Sequence, residues 1–179
     1  MALPDRPMKV FGIAGHSGAG KTTLIERVIP ILVQHGLKVS LIKHAHDRFD
    51  IDRPGKDSYR HREAGASEVL LTSAHRWVLM HESRDEAEPG MDAQLAVLSP
   101  CDVVLVEGYK RWPLPKLEVW RAATGKPPMY PDDPSVVAIA TDCPDTIPDP
   151  GERDVLDLDQ PAQIALWLLD TLNRLPAAR

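Results

Sequence analysis

The chain has 179 residues and a mass of 19.8 kDa, 43% of its residues are apolar, and its formal charge at pH 7 is -5. That length suits one domain, and folding at this size hides roughly 70% of the surface an unfolded chain exposes, so a packed core needs no disulfide or metal staple. The acidic balance disfavours general nucleic-acid binding, and a mean hydropathy of -0.24 without any apolar run of ~18 residues excludes a membrane-spanning helix.

Met8–Ala14 (MKVFGIA) is a nearly continuous apolar run ending before glycine, the pattern of a strand buried on both faces of a parallel sheet. From Thr22 to His35 apolar residues recur at helical spacing, and Gly36 stands at the expected C-terminal stop. Pro30 falls inside this helix and predicts a bend rather than an end. Lys38–Lys43 (KVSLIK) reads as a second strand, which closes a βαβ unit whose two strands form a parallel pair. Residues 44–56 carry both charge signs without an apolar period and read as a loop. A short helix is expected over Asp57–Gly65, capped by Asp57 or Ser58, followed by a hairpin of Glu68–Ser73 and Arg76–Glu82 turning at Ala74 and His75. A turn over 82–90 leads into a short helix from Met91 to Leu98, and Asp102–Glu107 (DVVLVE) is another buried strand. The alternation in Lys116–Arg121 (KLEVWR) predicts a half-exposed strand, and the prolines of Ala122–Pro134 predict a surface loop. Val136–Ala140 is a last core strand and Val155–Leu158 a short edge strand. Asp159 is expected to cap a terminal helix that buries Ile164, Leu166, Trp167, Leu169 and Leu172. Strands alternating with helices define the α/β class: a P-loop NTPase-type fold, mostly parallel sheet flanked by helices with an antiparallel hairpin extension, in a single nucleotide-binding domain over 1–179. The opening MALPDRPMKV lacks the basic-then-apolar order of a secretory signal, so a cytoplasmic location is expected. Cys101 and Cys143 form no C-x-x-C unit and read as small buried residues.

Gly15-His16-Ser17-Gly18-Ala19-Gly20-Lys21-Thr22 matches G-x-x-x-x-G-K-[ST] between the first strand and first helix. A phosphate needs several amide donors converging from a tight curve, which glycine permits, and a helix start adds the positive end of its dipole. Gly15 to Thr22, with Thr23, are therefore the candidate nucleotide-binding residues; Lys21 is expected to reach the β- and γ-phosphates and the Thr22 hydroxyl to bind Mg2+. Glu107, at the C-terminal end of a core strand, is the expected carboxylate partner for that ion, where an aspartate is more usual. Asp102 lies roughly 16 Å away at the strand's other end and cannot serve the same site. The 44–63 loop offers His44, His46, Asp47, Asp50, Asp52, Lys56, Asp57, Arg60 and His61. It reads as a segment approaching the γ-phosphate and Mg2+, as a transition-metal site built on His44 and His46, or as a solvated loop. Asp142 ends a core strand, and beside the phosphate loop its carboxylate can accept hydrogen bonds from guanine N1–H and the 2-amino group. Trp77, Trp112, Trp120 and Trp167 read as packing residues rather than a base-stacking set.

Taken together, GIAGHSGAGKTTL, LIKHAHDRFDIDRPGKDSYRHREAGA, TSAHRWVLMHE, LVEGYK and IATDCP resemble the MobB family, molybdopterin-guanine dinucleotide biosynthesis protein B. The similarity runs from Val10 to Arg121 and returns at residues 139–144; Asp47 stands where family members usually carry a further histidine. The resemblance implies a GTP-binding accessory protein of molybdenum-cofactor maturation with weak GTPase activity; Lys21 and Glu107, read from the glycine loop and the strand end, are the expected catalytic residues, with GTP and Mg2+ as the expected cofactors. It also implies a homodimer and a partnership with a MobA-type guanylyltransferase acting on molybdopterin, with MoeA as a further associate; the charge and hydropathy above predict no nucleic-acid or membrane partner. A small-molecule P-loop kinase and a nucleotide-locked scaffold without turnover are the competing readings. No group that positions the attacking water is evident; Arg48, Arg53, Arg60 and His61 are the candidates to neutralise developing charge.

Overall fold

The computed structural model describes residues 8–45, 49–110 and 112–177. They fall into two compact units, one built from the residues up to His44 and from Leu98 onward, the other spanning Ala45–Val97.

The first unit opens with β1 (Lys9–Ala14), α1 (Lys21–Gln34) and β2 (Val39–Lys43), and resumes with β5 (Val103–Glu107), β6 (Lys116–Val119), β7 (Val136–Thr141), β8 (Asp154–Asp157) and α4 (Pro161–Arg174). Its six strands form one sheet in the order β2-β5-β1-β6-β7-β8, and every neighbouring pair is parallel. The expected α/β architecture is present, with one change of neighbours: β1 and β2 are parallel but not adjacent, because β5 pairs with both. The reason lies in composition. β5 is buried at every position and takes an interior place, whereas β2 carries Ser40 and Lys43 and lies at the sheet edge.

α1 and α4 contribute Leu24, Ile25, Val28, Leu32 and Ile164, Ala165, Leu168, Leu172 to a core with Phe11, Ile13, Leu105, Leu117 and Ala140 of the sheet. The buried face of α4 is therefore shifted from the expected one: Leu166 is exposed, and Trp167 and Leu169 are only partly covered. Its N-cap is Gln160 without a side-chain bond rather than Asp159, and Pro161 opens the first turn, where its missing N–H costs nothing. Pro30 remains inside α1 without ending it.

β6 corrects the reading of KLEVWR as half-exposed. All four of its residues are buried, since it lies between β1 and β7, and its two charged side chains are satisfied internally. Lys116 Nζ donates to the carbonyls of Lys110 (2.9 Å) and Trp112 (2.7 Å) and to Asp133 Oδ2 (2.9 Å). Glu118 accepts from the amides of Met129 (2.7 Å) and Tyr130 (2.8 Å); burial raises its pKa against the opposing pull of those two bonds. The segment expected as a surface loop is thereby anchored at its middle, and Tyr130 joins Trp120, Val136 and Ile139 in a second apolar cluster. Cys101 is buried and Cys143 only partly so.

The second unit holds α2 (Asp57–Glu63), the hairpin β3 (Glu68–Thr72) and β4 (Trp77–His81), and α3 (Met91–Ala96). The hairpin forms in the expected register, Thr72 opposite Trp77, and its turn is closed by the Ser73 amide on the Arg76 carbonyl at 2.8 Å. The cap of α2 is Lys56 without a side-chain bond; Ser58 Oγ instead donates to Asp52 Oδ1 at 2.9 Å. No helix among the described residues is long and apolar enough to cross a membrane.

Candidate functional site

The connection from β1 to α1 passes so close to β6 that only glycine fits at its start. A Cβ on Gly15, at φ +139°, would stand 2.3 Å from the Val119 carbonyl oxygen. Gly18 and Gly20 both adopt positive φ, Gly20 serves as the N-cap of α1, and the Ala19 amide bonds the His16 carbonyl at 3.2 Å. The curve is thus set by backbone geometry and ends on the start of a 14-residue helix, the arrangement that concentrates amide donors and positive dipole. Ser17 is exposed on the loop, and His16 Nε2 lies 3.1 Å from the Pro127 carbonyl. Thr23 lies in the first turn of α1 and is exposed.

Lys21 Nζ folds back to the carbonyls of Gly15 (3.0 Å) and His16 (2.9 Å), spanning the mouth of the loop. Its pKa is lowered, first by burial, with the Glu107 carboxylate pulling it up and Lys110 and Lys43 pushing it down. Thr22 Oγ1 donates to Glu107 Oε1 at 2.9 Å, while Lys43 Nζ lies 3.5 Å from Glu107 Oε2. Lysine, threonine and glutamate from α1 and β5 therefore converge at one end of the sheet, because β5 runs parallel beside β1 with Ile13 opposite Glu107. Asp102 is at the other end, accepting from the Lys38 amide at 2.6 Å.

Asp142 follows β7, and β6 separates β7 from the strand that carries the glycine loop. Arg121, just beyond β6, spans the interval: its guanidinium lies against Gly20, and its Nη1 is 3.6 Å from Asp142 Oδ2. In the sequence Arg121 and Lys43 stand out only as strand ends. The signal available was position, since both close strands of the central sheet on the side where the glycine loop begins.

In the second unit Asp50 and Asp52 are engaged by Arg62, and Ser58 adds a donor to Asp52. Asp57, Arg60 and His61 lie on α2. His46, Asp47 and Arg48 lie outside the described residues. Among the described residues no group of three or more His, Cys, Asp or Glu side chains could hold a metal ion. Trp77 and Trp112 are exposed, which corrects the reading of all four tryptophans as packing residues, while Trp120 packs in the second apolar cluster and Trp167 against Phe11.

The sequence profile described as "Molybdopterin guanine dinucleotide synthesis protein B", MobB, matches residues 10–142. A protein of Haemophilus influenzae named molybdopterin-guanine dinucleotide biosynthesis adapter protein is 40% identical over 175 residues, covering 98% of this chain and 96% of its own. A protein of the same name from Escherichia coli is 41% identical over 140 residues, covering 75% and 79%. The crystal structure of a molybdopterin-guanine biosynthesis protein B superposes with a TM-score of 0.72 at 25% identity, covering 93% of this chain and all of that one.

Proposed function

This chain belongs to the MobB family, molybdopterin guanine dinucleotide synthesis protein B, and we propose that it acts there as a GTP-binding adapter with slow GTP hydrolysis. It assists a MobA-type guanylyltransferase in converting molybdopterin to its guanine dinucleotide, and MoeA is a further associate. The adapter role rests on the names of the Haemophilus influenzae and Escherichia coli relatives. Nucleotide binding rests above all on one contact, the Thr22 hydroxyl held 2.9 Å from the Glu107 carboxylate beside Lys21 at the mouth of the glycine loop.

The donor set fits Mg2+, a hard cation that takes few protein oxygens and completes its shell with water and phosphate. Thr22 and Glu107 are the residues that would hold it. When bound, the ion supplies neutralisation of phosphate charge. The loop amides bind and orient the phosphates, and Lys21 exchanges its two loop carbonyls for phosphate oxygens. Asp142 reads guanine through its N1–H and 2-amino group. The phosphate-binding parts orient a nucleotide, but the described residues supply no clear group to position an attacking water, which is why turnover is slow without a partner.

A homodimer built on the hairpin completes this reading. An isolated two-stranded sheet is marginal in water, yet β3 and β4 leave Leu70 60% and Trp77 61% exposed, with Leu71 and Leu79 also open.

Calorimetry with GTP and Mg2+ tests the site. Lys21→Ala is expected to weaken binding by about 1.5–3 kcal/mol while the protein stays folded. Thr22→Ala and Glu107→Gln are expected to lower Mg2+-dependent turnover more than Mg2+-free binding. Wild-type protein added to a MobA-type enzyme loaded with molybdopterin should raise dinucleotide formation, and Lys21→Ala should not. Equal stimulation by the variant would mean that nucleotide binding is not what this protein contributes.

A further inference from the structure

The protein leaves one side chain beside the glycine loop incompletely satisfied. Arg121 Nε is buried and has no hydrogen-bond partner, a state that protein structures rarely tolerate without a reason. The guanidinium packs on the loop: a Cβ on Gly20 would lie 3.7 Å from both Nε and Nη2. On its other side Nη1 stands 3.6 Å from Asp142 Oδ2, close enough for charge attraction but too long for a hydrogen bond. The Arg121 and Asp142 side chains are 37% and 30% exposed, so the pair faces solvent rather than the core. Asp142 Oδ1 accepts from Cys143 Sγ at 3.1 Å, which leaves the carboxylate with free lone pairs.

A guanidinium beside a carboxylate presents donors next to acceptors, all held at the edge of the phosphate-binding loop. The Watson–Crick edge of guanine is the complement, an O6 acceptor followed by the N1–H and 2-amino donors. Adenine presents an amino donor in place of O6 and a bare N1 in place of N1–H, so both contacts fail together. We propose that Arg121 is a specificity-determining residue that donates to guanine O6 while Asp142 takes the adjacent donors. This rests on the guanine-nucleotide reading above and adds to it a second residue with its own chemistry. Phosphate contact is the other use of a guanidinium here, but the reading above gives the phosphates to Lys21 and the loop amides, and Arg121 is turned toward Asp142 instead.

The test is calorimetric binding of GTP, ATP and 6-thio-GTP to the full-length protein with Mg2+. Sulfur at position 6 is a poor acceptor, and this analogue keeps both donors that Asp142 reads. Wild type is expected to bind GTP more tightly than 6-thio-GTP. Arg121→Ala should weaken GTP about tenfold, leave ATP within about twofold, and abolish the difference between GTP and 6-thio-GTP. Arg121→Gln keeps a neutral donor and should recover part of the loss; it carries the same comparison should the alanine variant fail to fold. Equal weakening of GTP and ATP would assign Arg121 to the phosphates and overturn the proposal, as would unchanged GTP affinity. A wild-type protein that binds GTP no better than ATP would instead overturn the guanine reading itself, a separate failure visible before any variant is made.

Discussion

In the parallel-sheet unit Phe11, Leu32, Val104 and Leu105 are fully inaccessible, and order comes from apolar surface withdrawn from water. In the Ala45–Val97 unit the best-connected side chain is a charge. Arg62 donates to Glu82 Oε1 at 2.7 Å, to both oxygens of Asp50 at 3.0 Å and to Asp52 Oδ2 at 3.2 Å, tying the loop, α2 and the end of the hairpin together. Arg84 extends the network to the carbonyls of Arg62, Gly65 and Ala66. The hairpin meanwhile exposes its leucines. A core built on burial resists local change and fails as a whole, whereas a segment built on directional polar contacts opens piecemeal. The glycine loop sits on the rigid unit, as a site that must hold several amides in place requires.

Phe11→Ala should break the first region most severely. Emptying that position is expected to cost about 3–5 kcal/mol and to lower the urea midpoint of the whole parallel-sheet unit. Gly15→Ala tests the closest approach in that unit. The added methyl meets a backbone carbonyl that cannot rotate away, so a loss of about 3 kcal/mol is expected, together with lost nucleotide binding. An unchanged denaturation curve would show that β6 can move.

Arg62→Ala should sharpen the contrast, since its expected effect is local. Amide exchange should accelerate across residues 49–66 and near Glu82 while the sheet amides keep their protection; a uniform loss of protection would mean that the two units unfold together. Acid should act on the same contacts. The Asp52 amide and then Arg62 hold Asp50 below the ordinary carboxyl range, and hydrogen bonds from Ser58, the Arg53 amide and Arg62 outweigh burial to do the same for Asp52. Their contribution is therefore complete above about pH 4 and is lost as pH falls through the lower folded values.

The smallest expected effect is at His81, whose pKa is raised first by its hydrogen bond to Glu68 and further by Glu86. A raised histidine stabilises the hairpin fully below its ordinary value of about 6.5 and ceases to do so as pH climbs through the folded value. Exchange at the β3–β4 amides should quicken as pH rises above about 6.5, beyond the intrinsic rate, and His81→Gln should remove that excess.

Most strand and helix positions were legible because their signals are local: apolar runs for β1 and β5, helical period for α1, and turn spacing for the hairpin. The glycine loop was legible for the same reason, since its chemistry lies within eight consecutive residues. Several features were not. The place of β5 between β1 and β2 follows from which strand is most apolar among all competitors for the interior, a comparison no window contains. Lys116 and Glu118 looked solvent-facing because alternation cannot reveal that Asp133 and the Met129 and Tyr130 amides would come to meet them. The meeting of Thr22 with Glu107, 85 residues apart, was expected from the motif together with the place of Glu107 at the end of an apolar strand, but the approach of Arg121 to both Gly20 and Asp142 was decided by sheet order. Local backbone preference and hydrophobic period are written residue by residue, so the sequence by itself determined the elements and the phosphate-binding turn. Burial of a charge and convergence of distant side chains depend on which strands become neighbours, and only the tertiary structure decided those.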